Sequence, residues 1–465
     1  MVINENRKAI IWSGIEKIGT YVVNFVIQII LARLLCPNDY AVVAMLAIFF
    51  SISQAFIDSG FTTTLIQKQD CTQVDYSSVF FFNVLIGCIA YSLFFVGAPF
   101  IESFYGFEGL ALVTKVYSLN LFINSLAMVH RAILTKKLQF KRIAKITFSS
   151  SILSAIPAIV MAYQGYGYWA LVIQSLTSTL VSSSMIIHQS KWRPSLIFSK
   201  RSIAKLSPFG LKMLMVYLFH AVYNNIYSLL IGKKFPSQDL GYYDRGKTLS
   251  SMGAVGFSDF YTRALYPIQA KVQNDRYALE QSYNKSFAVM CLAIVPLSAF
   301  MFFFAEEIVL TLLGSQWINC SLILQVLCIG YMFYPLQALN MNMLKVKGRG
   351  DYMLTAELIK KTMGITCVLI LINFDLKWVV IGWTCCSIIE FLISEFFFLK
   401  LCHFSLYGSI RVFVPAVMVT FVLSFILSII TDFLFEDNFM RFIVGVFCFA
   451  GVYGLINLRN VKNLI

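Results

Sequence analysis

Apolar residues fill the chain in long blocks, with short polar or basic stretches between them. A helix of roughly 20 apolar residues crosses the hydrocarbon core of a bilayer, about 30 Å thick. A window of about 19 residues places fourteen such spans near 11–35, 40–66, 77–100, 110–134, 146–163, 167–188, 208–232, 242–268, 284–305, 318–344, 352–372, 378–399, 410–431 and 439–457. The pattern therefore predicts an all-α polytopic membrane protein.

Laid side by side, the spans show an internal repeat. Pro37-Asn38-Asp39-Tyr40-Ala41 after span one is echoed by Pro236-Ser237-Gln238-Asp239-Leu240-Gly241 after span seven. Asp58, followed by Leu65-Ile66-Gln67-Lys68, is echoed by Asp259 and then the stretch from Leu265 to Lys271. Ala98-Pro99-Phe100-Ile101 running to Gly106 is echoed by Ala305-Glu306-Glu307-Ile308 running to Gly314. Each repeat holds six spans, an even number, so the halves share one orientation and are expected to be related by an axis along the membrane normal. The expected division is an N-lobe at 1–188, a basic cytoplasmic linker at 189–207, a C-lobe at 208–400 and two additional C-terminal spans in 401–465. The linker, with Trp192 and Pro194, reads as an interfacial segment.

Composition narrows the class. Hydrophobic residues make up 58% of the chain and charged residues 13%, with a mean hydropathy of +0.75, whereas a soluble chain carries about 25% charged residues. The spans leave no room for a large aqueous body, which excludes enzymes built around one. The net charge of +14 would suggest nucleic acid in a soluble protein. Here the cations collect in alternate loops: Lys136, Lys137, Lys141, Arg142 and Lys145, then Lys191, Arg193, Lys200, Arg201 and Lys205, then Lys345, Lys347 and Arg349. The opposite loops hold only Lys233, Lys234 and Lys377, so the basic loops and both termini are expected in the cytoplasm. The eleven cysteines are scattered singly, mostly in apolar runs (Cys88, Cys291, Cys328, Cys367, Cys448), without metal-ligand spacing, and read as small buried hydrophobes. The apolar run after the basic start is interrupted by Glu16 and Lys17 and has no small-residue cleavage site, so it is expected to stay as a first span.

Ionisable groups inside a span cost about 2.5 to 3.5 kcal/mol each at the centre, so they face a cavity or a partner. Lys17, Tyr21, Asn24 and Gln28 in span one recur at helical spacing and form one polar stripe. Lys212, His220, Asn224 and Tyr227 form a similar stripe in span seven, interrupted by Val216. Either stripe could bury interhelical contacts; a lysine in each favours a shared water-filled cleft. Span eight is the least apolar, with Asp244, Arg245, Lys247, Asp259 and Arg263; Asp259 and Arg263 are spaced for a helical ion pair, and Arg245 and Lys247 for snorkelling. Asp58 is expected either to pair with a neighbouring cation or, with Glu16 and Asp259, to carry ion coupling. Lys115, His130 and Arg131, and Glu357 with Lys360 and Lys361, are read as interfacially solvated.

The four histidines are far apart, and there is no HExxH, no Ser/His/Asp order and no glycine-rich phosphate loop. The chain reads as a non-enzyme without a cofactor. Uphill work is then expected from an ion gradient, H+ or Na+, or from a substrate gradient.

Several segments together resemble the Wzx-type polysaccharide flippases, in the WzxC-like branch of the superfamily that also holds the MATE exporters and MurJ. They are Trp12-Ser13-Gly14-Ile15-Glu16, Leu31-Ala32-Arg33-Leu34-Leu35 with Pro37, Asp58-Ser59-Gly60-Phe61 leading to Leu65-Ile66-Gln67, and Gly165-Tyr166-Gly167-Tyr168-Trp169-Ala170. Lys191-Trp192-Arg193-Pro194, Ile231-Gly232-Lys233, Gly241-Tyr242-Tyr243-Asp244-Arg245-Gly246 and Gly348-Arg349-Gly350-Asp351 continue the resemblance. Ala41 and Cys36 depart from the usual glycine and polar turn residue.

The resemblance implies a two-lobed, MATE/MurJ-like transporter of the bacterial inner membrane. Its substrate would be an undecaprenyl-diphosphate-linked oligosaccharide, moved from cytoplasmic to periplasmic leaflet by alternating access. A polymerase and a chain-length regulator would be partners, and nucleic acid would not. On that view Lys17 and Lys212 draw in the diphosphate, Tyr21, Asn24, Gln28, His220, Asn224 and Tyr227 meet the sugars, and Arg245 and Arg263 add cations. The alternatives are a drug or metabolite antiporter on the same scaffold, a membrane polymerase or ligase, and an assembly protein. Replacing Lys17 and Lys212 together by Gln is expected to abolish polymer export while membrane insertion, followed by fractionation, is unchanged.

Overall fold

In a computed structural model, the chain is described over residues 19–464 apart from 21, 59, 69 and 403–405. The described residues are helical, without strands. An apolar helix α1 (Val22–Leu34) leads to α2 (Pro37–Asp58), a short α3 (Phe61–Gln67) and α4 (Gln73–Tyr105). One span is then split into α5 (Leu110–Tyr117) and α6 (Leu119–Lys136). Next come α7 (Phe140–Tyr163), α8 (Trp169–Ser190), α9 (Lys200–Lys234) and α10 (Ser237–Lys271). After α11 (Arg276–Phe303) lie a short α12 (Ala305–Leu312), α13 (Cys320–Val346), α14 (Gly350–Leu371), α15 (Leu376–Cys402), α16 (Leu406–Leu434) and α17 (Asn438–Leu464). Ten helical stretches are long and apolar enough to cross a membrane by length and composition alone. With α1 and the long helices α10, α14 and α15, every expected span has its helix.

The helices are oriented by what each face meets. On α4 the exposed large residues Leu85, Ile89, Leu93, Val96 and Phe100 recur every three or four positions, one apolar stripe suited to lipid. On α7 the buried face carries Ser151, Ala155, Ala158 and Ala162 at the same spacing. Small residues let backbones approach, and α7 packs along α8. The ends are set by local chemistry. Thr72 and Asp75 form a capping box at the start of α4, Ser199 accepts from the Ser202 N–H at the start of α9, and Gly106 in a left-handed conformation ends α4.

The helix order repeats. The two-residue connection before Pro37 recurs before Ser237, and the starts of α4, α7 and α8 recur about two hundred residues later as those of α11, α14 and α15.

Compactness divides the chain elsewhere, into Met1–Gly241 and Tyr242–Ile465. The first unit thus runs past the linker and takes in α9, the helix of span seven. Its reason is close backbone contact. A Cβ on Gly60, whose φ is +65°, would lie 2.4 Å from the Gly210 carbonyl oxygen on α9, and one on Gly241 would lie 2.0 Å from the Pro37 oxygen. Along its length α9 packs on α2, α3 and α4.

In the second unit α13 packs between α11 and α15, and α11 on α16. Tyr283 stacks on Phe398 with centroids 4.3 Å apart and donates to Asn340 Oδ1 at 2.7 Å, and Asn340 Nδ2 donates to Glu395 Oε2 at 2.6 Å. Lys360 pairs with Glu357 at 2.5 Å and is itself buried, so these residues are satisfied within the protein and not by interfacial water. His130, expected near an end, is buried with Nδ1 2.7 Å from Ser190 Oγ. All eleven cysteines are free. Cys291 and Cys328 are buried as expected, Cys367 is half-buried, and Cys88 and Cys448 are exposed. A thiol is apolar enough to face lipid as well as core.

Gly60→Ala adds a methyl group where both φ and space forbid it, and is expected to destabilise the first unit by about 1–3 kcal/mol. Gly97→Ala, with open space at its Cβ, is expected to be neutral or stabilising, since Ala exceeds Gly in a helix by up to about 1 kcal/mol. Thermal unfolding midpoints of the purified variants in one detergent check both.

Candidate functional site

The first unit holds an open cavity of about 510 Å³. Five of its helices supply the lining through residues at helical spacing. They are Ser51, Gln54 and Asp58 of α2, Tyr117 of α5, Asn120 and Asn124 of α6, Ser175 and Thr179 of α8, and Tyr217, His220, Asn224 and Asn225 of α9, with Phe50, Ala55, Leu121 and Ala221 between them. Each helix thus turns one polar face inward, as the absence of solvent for polar groups in hydrocarbon requires.

Amide hydrogen bonds hold the polar walls. Asn124 Nδ2 donates to Gln54 Oε1 at 2.9 Å, tying α6 to α2. Asn225 Nδ2 donates to Ser51 Oγ at 3.2 Å and to the Ala221 carbonyl at 2.8 Å, tying α9 to α2. Tyr217 Oη lies 2.9 Å from Thr63 Oγ1 on α3. Two acceptors are left over: Asp58 Oδ1 and Asn120 Oδ1 are buried without a hydrogen-bond partner among the described residues. A buried acceptor in that condition costs about 1–3 kcal/mol, more if charged, until something donates to it. Both belong to residues of the cavity lining, so a proton, or a ligand donor admitted by a small side-chain movement, has acceptors to meet there. Among the described residues, the cavity lining contains no Lys or Arg.

Of the residues singled out in the sequence, the structure brings Asp58, His220 and Asn224 to this cavity. Asn24 and Gln28 are half-buried on α1 and are not part of the lining. Lys212 lies on an exposed stretch of α9 and Tyr227 is buried in the packing, both away from the cavity lining. Glu16, Lys17 and Tyr21 lie outside the described residues. Arg245, Asp259 and Arg263 belong to the second unit. Arg245 does not snorkel: its guanidinium bonds Asp244 Oδ2 at 2.7 Å and is mostly buried. The expected Asp259–Arg263 ion pair is absent among the described residues. Arg263 is exposed, where an ion pair at this helical spacing is worth only about 0.3–0.5 kcal/mol and does not hold two side chains together.

Sequence reasoning passed over most of the amides and hydroxyls of the lining. Their signal was available: Asn120 and Asn124, Ser175 and Thr179, and Ser51, Gln54 and Asp58 each recur at three or four positions. A search led by charge does not weigh neutral groups.

Comparison with known proteins follows the same line. Residues 30–322 match the family described as polysaccharide biosynthesis protein. The chain belongs to that family. Among its relatives, it is 26% identical over 304 residues to the teichuronic acid biosynthesis protein TuaB of Bacillus subtilis (strain 168), covering 64% of this chain and 62% of TuaB. It is also 26% identical over 306 residues to the succinoglycan biosynthesis transport protein ExoT of Rhizobium meliloti (strain 1021), covering 66% of this chain and 62% of ExoT. The chain therefore matches somewhat under two thirds of the length of these relatives. The fold is similar to that of a solved structure described as lipid II flippase MurJ, inward closed conformation, with a TM-score of 0.78 over 97% of this chain and 100% of that one at 13% identity.

Two substitutions test the wall. Asn124→Ala removes the donor to Gln54 and is expected to lower stability by about 0.6–1.7 kcal/mol, the range for polar contacts between membrane helices. Asp58→Asn keeps the shape and removes a carboxylate with an unmet oxygen, so its thermal midpoint is expected to rise above that of the unsubstituted protein.

Proposed function

We propose that the protein is a Wzx-type flippase that carries a lipid-linked oligosaccharide from the cytoplasmic to the periplasmic leaflet of the bacterial inner membrane, with both termini cytoplasmic. The observation that carries this reading is the cavity inside a membrane-spanning bundle, lined by amides and hydroxyls. Each amide offers donor and acceptor together, which matches the hydroxyls of sugars, and Tyr117, Tyr217 and Phe50 add flat apolar faces for sugar rings. Family membership and the names of TuaB and ExoT support the same substrate class. The undecaprenyl-diphosphate carrier, the polymerase and the chain-length regulator belong to this proposal.

Asp58 is the coupling residue on this reading. A half-buried carboxylate with one buried, unpartnered oxygen takes up a proton or a sodium ion in one state of an alternating-access cycle and releases it in the other. No other cofactor enters the scheme, and the protein forms and breaks no covalent bond.

One observation favours a second reading, an antiporter for organic cations: among the described residues the cavity holds the carboxylate of Asp58 and no Lys or Arg. The two readings separate in one assay. In vesicles carrying fluorescent lipid-linked oligosaccharide, the protein is expected to equalise the label between leaflets, and Gln54→Ala, Asn124→Ala and Asn225→Ala combined should slow this at least about tenfold, as loss of about 1.4 kcal/mol implies. Cation efflux without leaflet exchange would establish the antiporter instead, and new glycosidic bonds would establish a polymerase.

A further inference from the structure

The segment between α8 and α9 is fastened on one side and bare on the other. On its inner side the Trp192 ring packs among Tyr76, Phe80 and His130, with centroids 6.2, 6.0 and 5.0 Å away. Trp192 Nε1 donates to Gln73 Oε1 at 2.7 Å, and Gln73 Nε2 donates to the Arg193 carbonyl at 2.8 Å. The Ser195 N–H donates to Ser77 Oγ at 3.0 Å and the Ser199 N–H to Ser78 Oγ at 2.9 Å, so the segment is buttoned to the first turns of α4. Ser202 Oγ donates to Asp75, whose other oxygen pairs with Lys68 at 2.8 Å.

The outer side is built differently. Leu196 is 95% exposed, Ile197 49% and Phe198 52%. Three consecutive bulky apolar residues are held outward by a segment that has already used its inner positions for anchoring, so their exposure is imposed by the structure. Lys191, Arg193, Lys200 and Arg201, all exposed, flank them. The neighbouring α6–α7 turn adds exposed Lys137 and the start of α7 adds exposed Lys145, while Arg142 Nη1, also on α7, lies 3.5 Å from the Gln189 carbonyl. Neutralising acids are missing from the same stretch of chain: no Asp or Glu occurs between Glu108 and Asp239. In the adjoining first turn of α4, Asp75 is buried and already paired with Lys68, which among the described residues leaves exposed Asp70, on the loop before α4, as a single acid against the four flanking cations.

An apolar wedge rimmed by cations of one sign fits a surface that is apolar beneath and anionic on top. We propose that the outer face of residues 191–201 is a docking surface for anionic phospholipids. Leu196, Ile197 and Phe198 enter the acyl region just under the headgroups, and Lys191, Arg193, Lys200 and Arg201 bind phosphodiesters. The site is separate from the cavity and independent of what the cavity carries.

The test is hydrogen exchange on the full-length protein in nanodiscs of phosphatidylcholine alone and of phosphatidylcholine with about a third phosphatidylglycerol. Exchange of peptides covering 191–201 is expected to slow about fivefold or more with phosphatidylglycerol, as binding by several basic residues near an anionic surface implies. The slowing should vanish at high salt, because charges at the surface are screened. Equal exchange in the two discs would overturn the proposal. So would full protection by inorganic pyrophosphate in phosphatidylcholine discs, which would mark a site for soluble phosphate. Leu196→Ser with Phe198→Ser, and separately Arg193→Gln with Lys200→Gln and Arg201→Gln, should each remove the lipid-dependent slowing; retention of it in both would place the lipid contact elsewhere. The two-disc comparison needs no variant and stands even if one fails to fold.

Discussion

Hydrocarbon solvates no polar group, and that single constraint shapes the chain. Every amide, hydroxyl and carboxylate placed within a span must meet protein, water or ligand. The lipid-facing stripe of α4 and the serine and alanine face of α7 are two answers to it. The cavity of the first unit is the third, where polar faces of five helices are collected around shared space. Asn124 with Gln54 and Asn225 with Ser51 show how the walls satisfy each other, and Asp58 and Asn120 show where satisfaction stops.

The same constraint explains why the glycine contacts matter. Helices in lipid gain nothing from burying apolar surface against each other, so close packing and interhelical hydrogen bonds must hold them. Gly60 against Gly210 and Gly241 against Pro37 bring backbones to distances that no side chain permits. The first contact secures α9 to the start of α3 and the second ties the start of α10 to that of α2; with the packing of α9 along α2 they fix the wall that carries Tyr217, His220, Asn224 and Asn225.

Hydropathy was enough to place the long helices, because apolar runs record where lipid is. It was less able to say where helices begin and end. Span seven reads from 208, yet α9 starts at Lys200, since Lys200-Arg201-Ser202-Ile203-Ala204-Lys205 is helical but polar and lies outside the apolar window. The reading of 40–66 as one span missed the break at Gly60, which a left-handed backbone imposes and composition does not reveal. Spacing led to His220 and Asn224. Weighting by charge led equally to Lys212, which lies on the exposed stretch of the same helix. Which face of a helix looks into a cavity depends on its neighbours, and a single sequence does not contain that geometry.

A lining whose described residues include no Lys or Arg also has an electrical meaning. On the proposed function the anionic cargo would cross without a cation of these walls moving with it, so its passage would displace charge across the bilayer. With the cell interior negative, each unit of negative charge leaving the cytoplasm is driven by about 2.3 kcal/mol for every 100 mV. Voltage alone would then set a direction for the carrier, before any ion gradient is tapped.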